Sequence, residues 1–123
     1  MSIKKKTLVV GASTKPERYS NKAIRLLVKH GHPVTAVGLR TGEVAGVPIS
    51  KEFPRDGAIH TVTLYLGPAR QDDEVIEKIL ALKPKRIIFN PGTENESFRQ
   101  RAAASGIETV ENCTLVMLNS GVF

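Results

Sequence analysis

The chain has 123 residues, of which 41% are hydrophobic and 24% are charged, and this size and composition predict one soluble domain over residues 1–123. Its net charge of +6 favours anionic partners, but the basic residues are spread along the chain and are not interleaved with aromatic side chains, which disfavours nucleic acid. A single cysteine, Cys113, excludes an internal disulfide and a paired-cysteine zinc cluster, and the first apolar run is too short for a signal peptide or membrane span, so we expect a cytoplasmic protein without a metal site or a membrane partner.

The first predicted element is a strand over about residues 5–10, followed by a glycine turn and a polar loop. Its apolar run is continuous rather than alternating, which is typical of a strand buried on both faces of a parallel sheet. Ser20 or Asn21 can then cap a helix whose apolar side chains share one face. At the end of that helix, His30 and His32 are expected to lie in solvent.

The rest of the chain alternates between strands and helices. Further strands are predicted over residues 33–37, 59–66, 86–89 and 107–110, and further helices over residues 72–83, 97–105 and 114–118. Residues 41–49 are predicted as an excursion with one short extended piece at 47–49. This order predicts an α/β fold, a Rossmann-like doubly wound parallel sheet of about five strands with helices on both faces.

In such a sheet, ligands bind at the carboxyl ends of the strands. The glycine turn after the first strand and the helix start beyond it offer backbone N–H groups to an anion. Of the three glycines in the dinucleotide fingerprint only Gly11 is present, and Arg40 lies near the position where an acid would hold the ribose of NAD. Because a cation there suits a ribose phosphate, NADP and coenzyme A (CoA) are the ligands that these residues leave open.

The same edge offers few groups for catalysis. Glu94, Glu111 and Cys113 are the candidates, whereas the histidines are predicted at the opposite edge of the sheet. Cys113 has two interpretations, a small buried residue or a thiol within reach of a bound CoA. We therefore name no catalytic residue, and an NADP-type enzyme and a ligand-sensing regulatory subunit with a protein partner stay open as alternatives.

Several stretches, taken in their order and spacing, point to a known family. They are Val9-Val10-Gly11-Ala12-Ser13, Lys15-Pro16-Glu17-Arg18-Tyr19-Ser20-Asn21, Gly46-Val47-Pro48, Asn90-Pro91-Gly92-Thr93-Glu94 and Val110-Glu111-Asn112-Cys113. The chain resembles the small stand-alone CoA-binding domain proteins, which are similar to the CoA-binding domain of the succinyl-CoA synthetase alpha subunit. The resemblance implies a Rossmann-like fold and binding of CoA or an acyl-CoA, without the ligase activity of that enzyme.

The resemblance also implies which residues contact the nucleotide. The turn and loop over residues 11–21 would hold the pyrophosphate, Arg40 would lie near the adenosine phosphate, and the ends of the third and fourth strands would flank the adenosine or the pantetheine arm. The residues implied in this way are Gly11, Ala12, Ser13, Thr14, Lys15, Arg18, Ser20, Asn21, Arg40, Gly67, Pro68, Asn90, Pro91 and Gly92.

Overall fold

A computed structural model describes residues 3–55 and 57–123 of the chain. Its strands are β1 (Thr7–Val10), β2 (Val34–Val37), β3 (Gly42–Val44), β4 (Val47–Ser50), β5 (Thr61–Leu64), β6 (Arg86–Phe89) and β7 (Glu108–Glu111). Within the described residues they form a seven-stranded sheet in the order β3-β4-β2-β1-β5-β6-β7. All neighbours pair in parallel except β3, which runs antiparallel to β4.

Helices cover both faces of this sheet. They are α1 (Tyr19–Lys29), α2 (Asp73–Ala81), α3 (Glu96–Ala104) and α4 (Thr114–Asn119). Leu8 and Val10 of β1 point into a core built with α2 and α3, while Val9 between them points into a second core built with α1 and α4. The strand is therefore buried on both faces, as its continuous apolar run predicts. The prediction of a doubly wound α/β fold is confirmed.

The predicted number of strands, about five, was wrong because residues 41–49 form more than one extended piece. β3 and β4 make a hairpin, and its two turn residues, Ala45 and Gly46, have φ angles of 51° and 83°. Positive φ at both positions is the signature of a tight hairpin turn. Val44, Val47 and Ile49 are buried, and β4 pairs with β2, so the hairpin extends the sheet at one edge.

The predicted caps of the first helix were also wrong. α1 starts at Tyr19, and Arg18 precedes it as the N-cap residue, so Ser20 and Asn21 lie inside the first turn. Asn21 is fully buried and its amide nitrogen donates to the backbone oxygen of Ser13 at 2.9 Å. The residue therefore fastens the preceding loop to the helix instead of capping it.

The prediction that His32, just beyond the end of α1, lies in solvent was wrong. His32 is buried, its Nδ1 accepts a hydrogen bond from the backbone nitrogen of Lys5 at 3.0 Å, and its ring lies 5.0 Å from that of Phe123. His30 is exposed, in line with the prediction. Both histidines lie at the amino-terminal edge of the sheet, away from the carboxyl ends of the strands.

β1 is the central strand of the sheet, with three of the described strands on each side. The strands that follow β1 extend the sheet on one side as β2, β4 and β3, and the later strands extend it on the other side as β5, β6 and β7. The strand order therefore reverses between β1 and β5, and loops diverge there to leave a crevice. In the part of the chain that the structure describes, no helix has the length and apolar character needed to span a membrane.

Candidate functional site

An open cavity of about 620 Å³ lies at the carboxyl ends of β2, β1, β5 and β6. This is the place where the strand order reverses, and its volume is within the range of small-molecule sites. Its lining residues are Gly11, Ala12, Ser13, Thr14, Lys15, Arg18, Tyr19, Ser20, Leu39, Arg40, Tyr65, Leu66, Gly67, Arg70, Pro91, Gly92 and Thr93.

Most of the residues implied by the sequence lie along this cavity. Those that line it are Gly11, Ala12, Ser13, Thr14, Lys15, Arg18, Ser20, Arg40, Gly67, Pro91 and Gly92. Asn21, Pro68 and Asn90 are not among the lining residues. Tyr19, Tyr65 and Arg70 also line the cavity, and the sequence analysis does not name them as ligand contacts. For Tyr65 and Arg70, the sequence feature that could have indicated this is their position near the end of a predicted strand.

The glycine turn after β1 is shaped by a close approach of two backbones. Gly11 has a φ of +94°, and a Cβ atom there would lie 3.0 Å from the carbonyl carbon of Tyr65. The backbone nitrogens of Gly11 and Ala12 both donate to the oxygen of Val37 at 2.9 Å. These two N–H groups join β1 to β2, so they are not free to bind a ligand as the sequence had suggested.

Donors for an anion lie farther along the same loop. The Ser13 hydroxyl oxygen accepts from the backbone nitrogen of Lys15 at 3.1 Å, which curls the loop toward α1. Arg18 is the N-cap residue of α1, and no side chain of the described residues makes a capping hydrogen bond there. Arg18, Tyr19 and Ser20 all line the cavity. The first-turn N–H groups of a helix lack partners within the helix and carry partial positive charge. An anion in the cavity therefore meets the start of α1.

The charged side chains along the cavity all have the same sign. They are Lys15, Arg18, Arg40 and Arg70, and the lining, as far as the structure describes it, contains no carboxylate. None of these cations forms an ion pair with another described residue. A cavity lined by positive charges alone attracts a polyanionic ligand.

The side chain of Asn90, which follows β6, makes hydrogen bonds within the protein that its position in the sequence does not predict. Its amide nitrogen donates to the hydroxyl of Thr63 at 2.8 Å and to the backbone oxygen of Leu64 at 2.9 Å. Its amide oxygen accepts from the backbone nitrogen of Thr114 at 2.9 Å. The side chain is buried, and both ends of its amide are used within the protein.

The candidate catalytic groups do not line the cavity. Glu94 accepts a hydrogen bond from the backbone nitrogen of Gly92 at 2.8 Å and is exposed. Cys113 is partly exposed and precedes α4, and Glu111 ends β7. Among the described residues the cavity lining has no histidine, cysteine or carboxylate. The described lining therefore offers lysine and tyrosine as acid–base groups, but not histidine or a carboxylate.

Tyr65 is the unusual ionisable group of the lining. Its hydroxyl is buried and makes no hydrogen bond to another described residue, and the hydroxyls of Thr63 and Thr114 pair with each other at 2.8 Å. Burial raises the pKa of Tyr65 to about 12. The phenol is therefore neutral near pH 7 and is a poor base.

Comparisons with known proteins agree with this geometry. A family model described as "CoA binding domain" matches residues 5–119. No curated protein matches the chain. One crystal structure, described only as an uncharacterized protein, shares 47% sequence identity with a TM-score of 0.94, covering 99% of this chain and 100% of that one.

Two other solved structures extend the comparison. A hypothetical protein from Pyrococcus horikoshii OT3 is 28% identical with a TM-score of 0.83, covering 97% of this chain and 84% of that one. A Thermus thermophilus protein is 20% identical with a TM-score of 0.84, covering 98% of this chain and 91% of that one, and it is similar in fold. Because the family model spans nearly the whole chain, the chain belongs to the CoA-binding domain family.

Proposed function

We propose that the chain binds CoA or an acyl-CoA in this cavity and catalyses no reaction of its own. The observation that supports this most directly is the charge of the lining, with Lys15, Arg18, Arg40 and Arg70 beside the uncapped start of α1 and no carboxylate among the described lining residues. CoA carries a pyrophosphate and a separate ribose phosphate. A ligand with two groups of negative charge matches cations that are distributed along a cavity.

The positions of these cations suggest how CoA would lie. The loop from Ser13 to the start of α1 would hold the pyrophosphate, since its residues line the cavity and the first-turn N–H groups of α1 lack partners within the helix, whereas the N–H groups of Gly11 and Ala12 donate to Val37. Arg40, after β2, would take the ribose phosphate. The pantetheine arm would then run toward the ends of β5 and β6, where Gly67 and Gly92 leave room beside the backbone.

The absence of a reaction is supported by the same lining. Acyl transfer and thioester hydrolysis need a nucleophile or a general base within reach of the substrate. The described lining has hydroxyls and cations but no histidine, cysteine or carboxylate, and Tyr65 is held neutral by its raised pKa. Binding is therefore the function that we propose, with NADP as the rival ligand because Arg40 suits either ribose phosphate.

Titration calorimetry of the purified protein with CoA, acetyl-CoA, NADP and NAD tests this proposal. We expect heat from CoA and acetyl-CoA and much weaker or no heat from NADP and NAD. Binding of NADP without binding of CoA would overturn the proposed ligand. Release of free thiol from acetyl-CoA above the rate in buffer would overturn the proposed lack of catalysis.

A further inference from the structure

Gln71 is a buried residue that ties two walls of the cavity together. It is only 5% exposed, and its amide nitrogen donates to the backbone oxygen of Leu66 at 2.9 Å and to that of Thr93 at 2.8 Å. Its amide oxygen accepts from the side-chain nitrogen of Asn95 at 2.9 Å. Both amide hydrogens and the amide oxygen therefore have partners within the protein.

The two backbone oxygens belong to different loops. Leu66 follows β5, and Thr93 follows β6 in a turn closed by hydrogen bonds from its backbone nitrogen and its hydroxyl to the oxygen of Asn90. The pairing between β5 and β6 ends at Leu64 and Phe89, so the ladder itself no longer holds these loops together. Beyond the contact of Asn90 with Leu64, the Gln71 amide joins these two loops.

The hydrogen bonds of Gln71 also hold the segment that carries Arg70, one of the positively charged residues that line the cavity. Arg70 directly precedes Gln71 and ends a short 3-10 turn over Pro68–Arg70, in which its backbone nitrogen donates to the oxygen of Gly67 at 2.9 Å. Arg70 lines the cavity on the side of β5, whereas Arg40 lines it on the side of β2. Gln71 therefore braces the part of the cavity farthest from Arg40.

We propose that Gln71 is a positioning residue for the pantetheine half of the ligand, an inference that rests on the proposed binding of CoA with its ribose phosphate at Arg40. Gln71 itself is not among the residues that line the cavity. It fixes the separation of the loops after β5 and β6, and with it the width of the channel for the arm. The adenosine half of the ligand lies against the loops of β1 and β2, which Gln71 does not contact.

The variant Gln71→Met tests this role because methionine keeps an unbranched side chain of similar size and removes the amide. The oxygens of Leu66 and Thr93 would then be left without their donor, and the loops would separate until water reached them. Gln71→Glu is the second variant, since it keeps the shape but places a carboxylate oxygen against those two carbonyl oxygens. Gln100→Met, an exposed glutamine on α3, is the matched control.

The ligands to compare are CoA and adenosine 3′,5′-bisphosphate, which lacks the pantetheine arm. For Gln71→Met we expect the affinity for CoA to fall by about tenfold, and that for the bisphosphate to stay within about twofold of wild type. Equal losses for both ligands would overturn the proposal, because they would show a general loss of structure. Unchanged affinity for CoA in both Gln71 variants would overturn it as well.

Amide hydrogen exchange on the ligand-free protein gives a second readout. In both Gln71 variants, exchange should become faster in residues 66–70 and 91–95 and stay unchanged in residues 11–18. Unchanged exchange in the first two segments would overturn the bracing role. Failure of the wild-type protein to bind CoA would overturn the proposed function, whereas wild-type binding that both Gln71 variants retain would overturn only the role of Gln71.

Discussion

The backbone nitrogen of Thr114 donates a hydrogen bond to the side-chain oxygen of Asn90 at 2.9 Å, and this contact joins the end of β6 to the start of α4. The same amide reaches β5 through the Thr63 hydroxyl and the Leu64 backbone oxygen. Three elements thus meet at one buried amide beneath the cavity. Its loss would leave the backbone oxygen of Leu64 and the backbone nitrogen of Thr114 without this partner.

Replacement of this amide should therefore cost stability. We expect Asn90→Ala to lower the free energy of unfolding by about 2–3 kcal/mol, because it removes several buried hydrogen bonds and leaves a small cavity. Urea unfolding followed by circular dichroism measures the change. Asn119→Ala, at the exposed end of α4, is the control and should change stability by less than about 0.5 kcal/mol. Similar small effects in both variants would contradict the structural role of Asn90.

Arg40 should distinguish CoA from dephospho-CoA. If its guanidinium contacts the ribose phosphate, Arg40→Ala should weaken CoA binding by about tenfold and leave dephospho-CoA almost unaffected, since a charge-assisted contact of this kind contributes about 1.5–3 kcal/mol at most. Calorimetry with the two ligands measures the difference. Lys29→Ala removes one exposed positive charge at the end of α1 and controls for net charge. Equal weakening of both ligands would argue against the assignment.

The chain just after β2 should not accept a side chain at Gly38. A Cβ atom there would lie 2.3 Å from the backbone oxygen of Ala12, and backbone atoms cannot move aside without disturbing the cavity loop. We expect Gly38→Ala to lower the free energy of unfolding by about 1–3 kcal/mol. Gly67→Ala is the control, because the nearest atom to its new Cβ would be the Gly92 oxygen at 4.0 Å. Equal stability of the two variants would show that the backbone after β2 moves to accept the extra methyl group.

The buried His32 should make the protein sensitive to acid. Burial, with a smaller effect from nearby cations such as Lys4 and Lys5, lowers the pKa of His32 below its usual value of 6.5. The unfolded chain therefore takes up a proton at a higher pH than the folded protein does. Stability from this group is fully present above about pH 6.5 and is lost as the pH falls below it.

The variant His32→Asn isolates this effect, because the asparagine oxygen can take the place of Nδ1 as acceptor for the backbone nitrogen of Lys5. Between about pH 7.5 and pH 5, the free energy of unfolding should fall less in His32→Asn than in wild type. Some loss should remain, since burial also lowers the pKa of His60. An equal loss in both proteins, measured by urea unfolding at each pH, would rule out His32 as a source of the acid sensitivity.

Structural features that depend on residues close together in the sequence were predictable from the sequence alone. The continuous apolar run of β1 predicts a strand buried on both faces, and the predicted helix over residues 72–83 matches α2 at its start, Asp73. The alternation of such elements predicts the doubly wound sheet, and that topology predicts a ligand site at the carboxyl ends of its strands. These inferences use the periodicity of apolar residues, which is a local property of the chain.

The tertiary structure decided what each polar side chain at that edge does. Asn21, Gln71 and Asn90 have polar side chains, as Ser13 and Arg40 do, but their amides face backbone groups of other elements and become buried there. β3 and β4 form a hairpin through the Ala45–Gly46 turn, and the pairing of β4 with β2 joins this hairpin to the sheet. Packing selects hydrogen-bond partners that are far apart in the chain. The sequence therefore predicts the edge of the sheet at which we propose that a ligand binds, and packing determined which polar groups at that edge have partners within the protein.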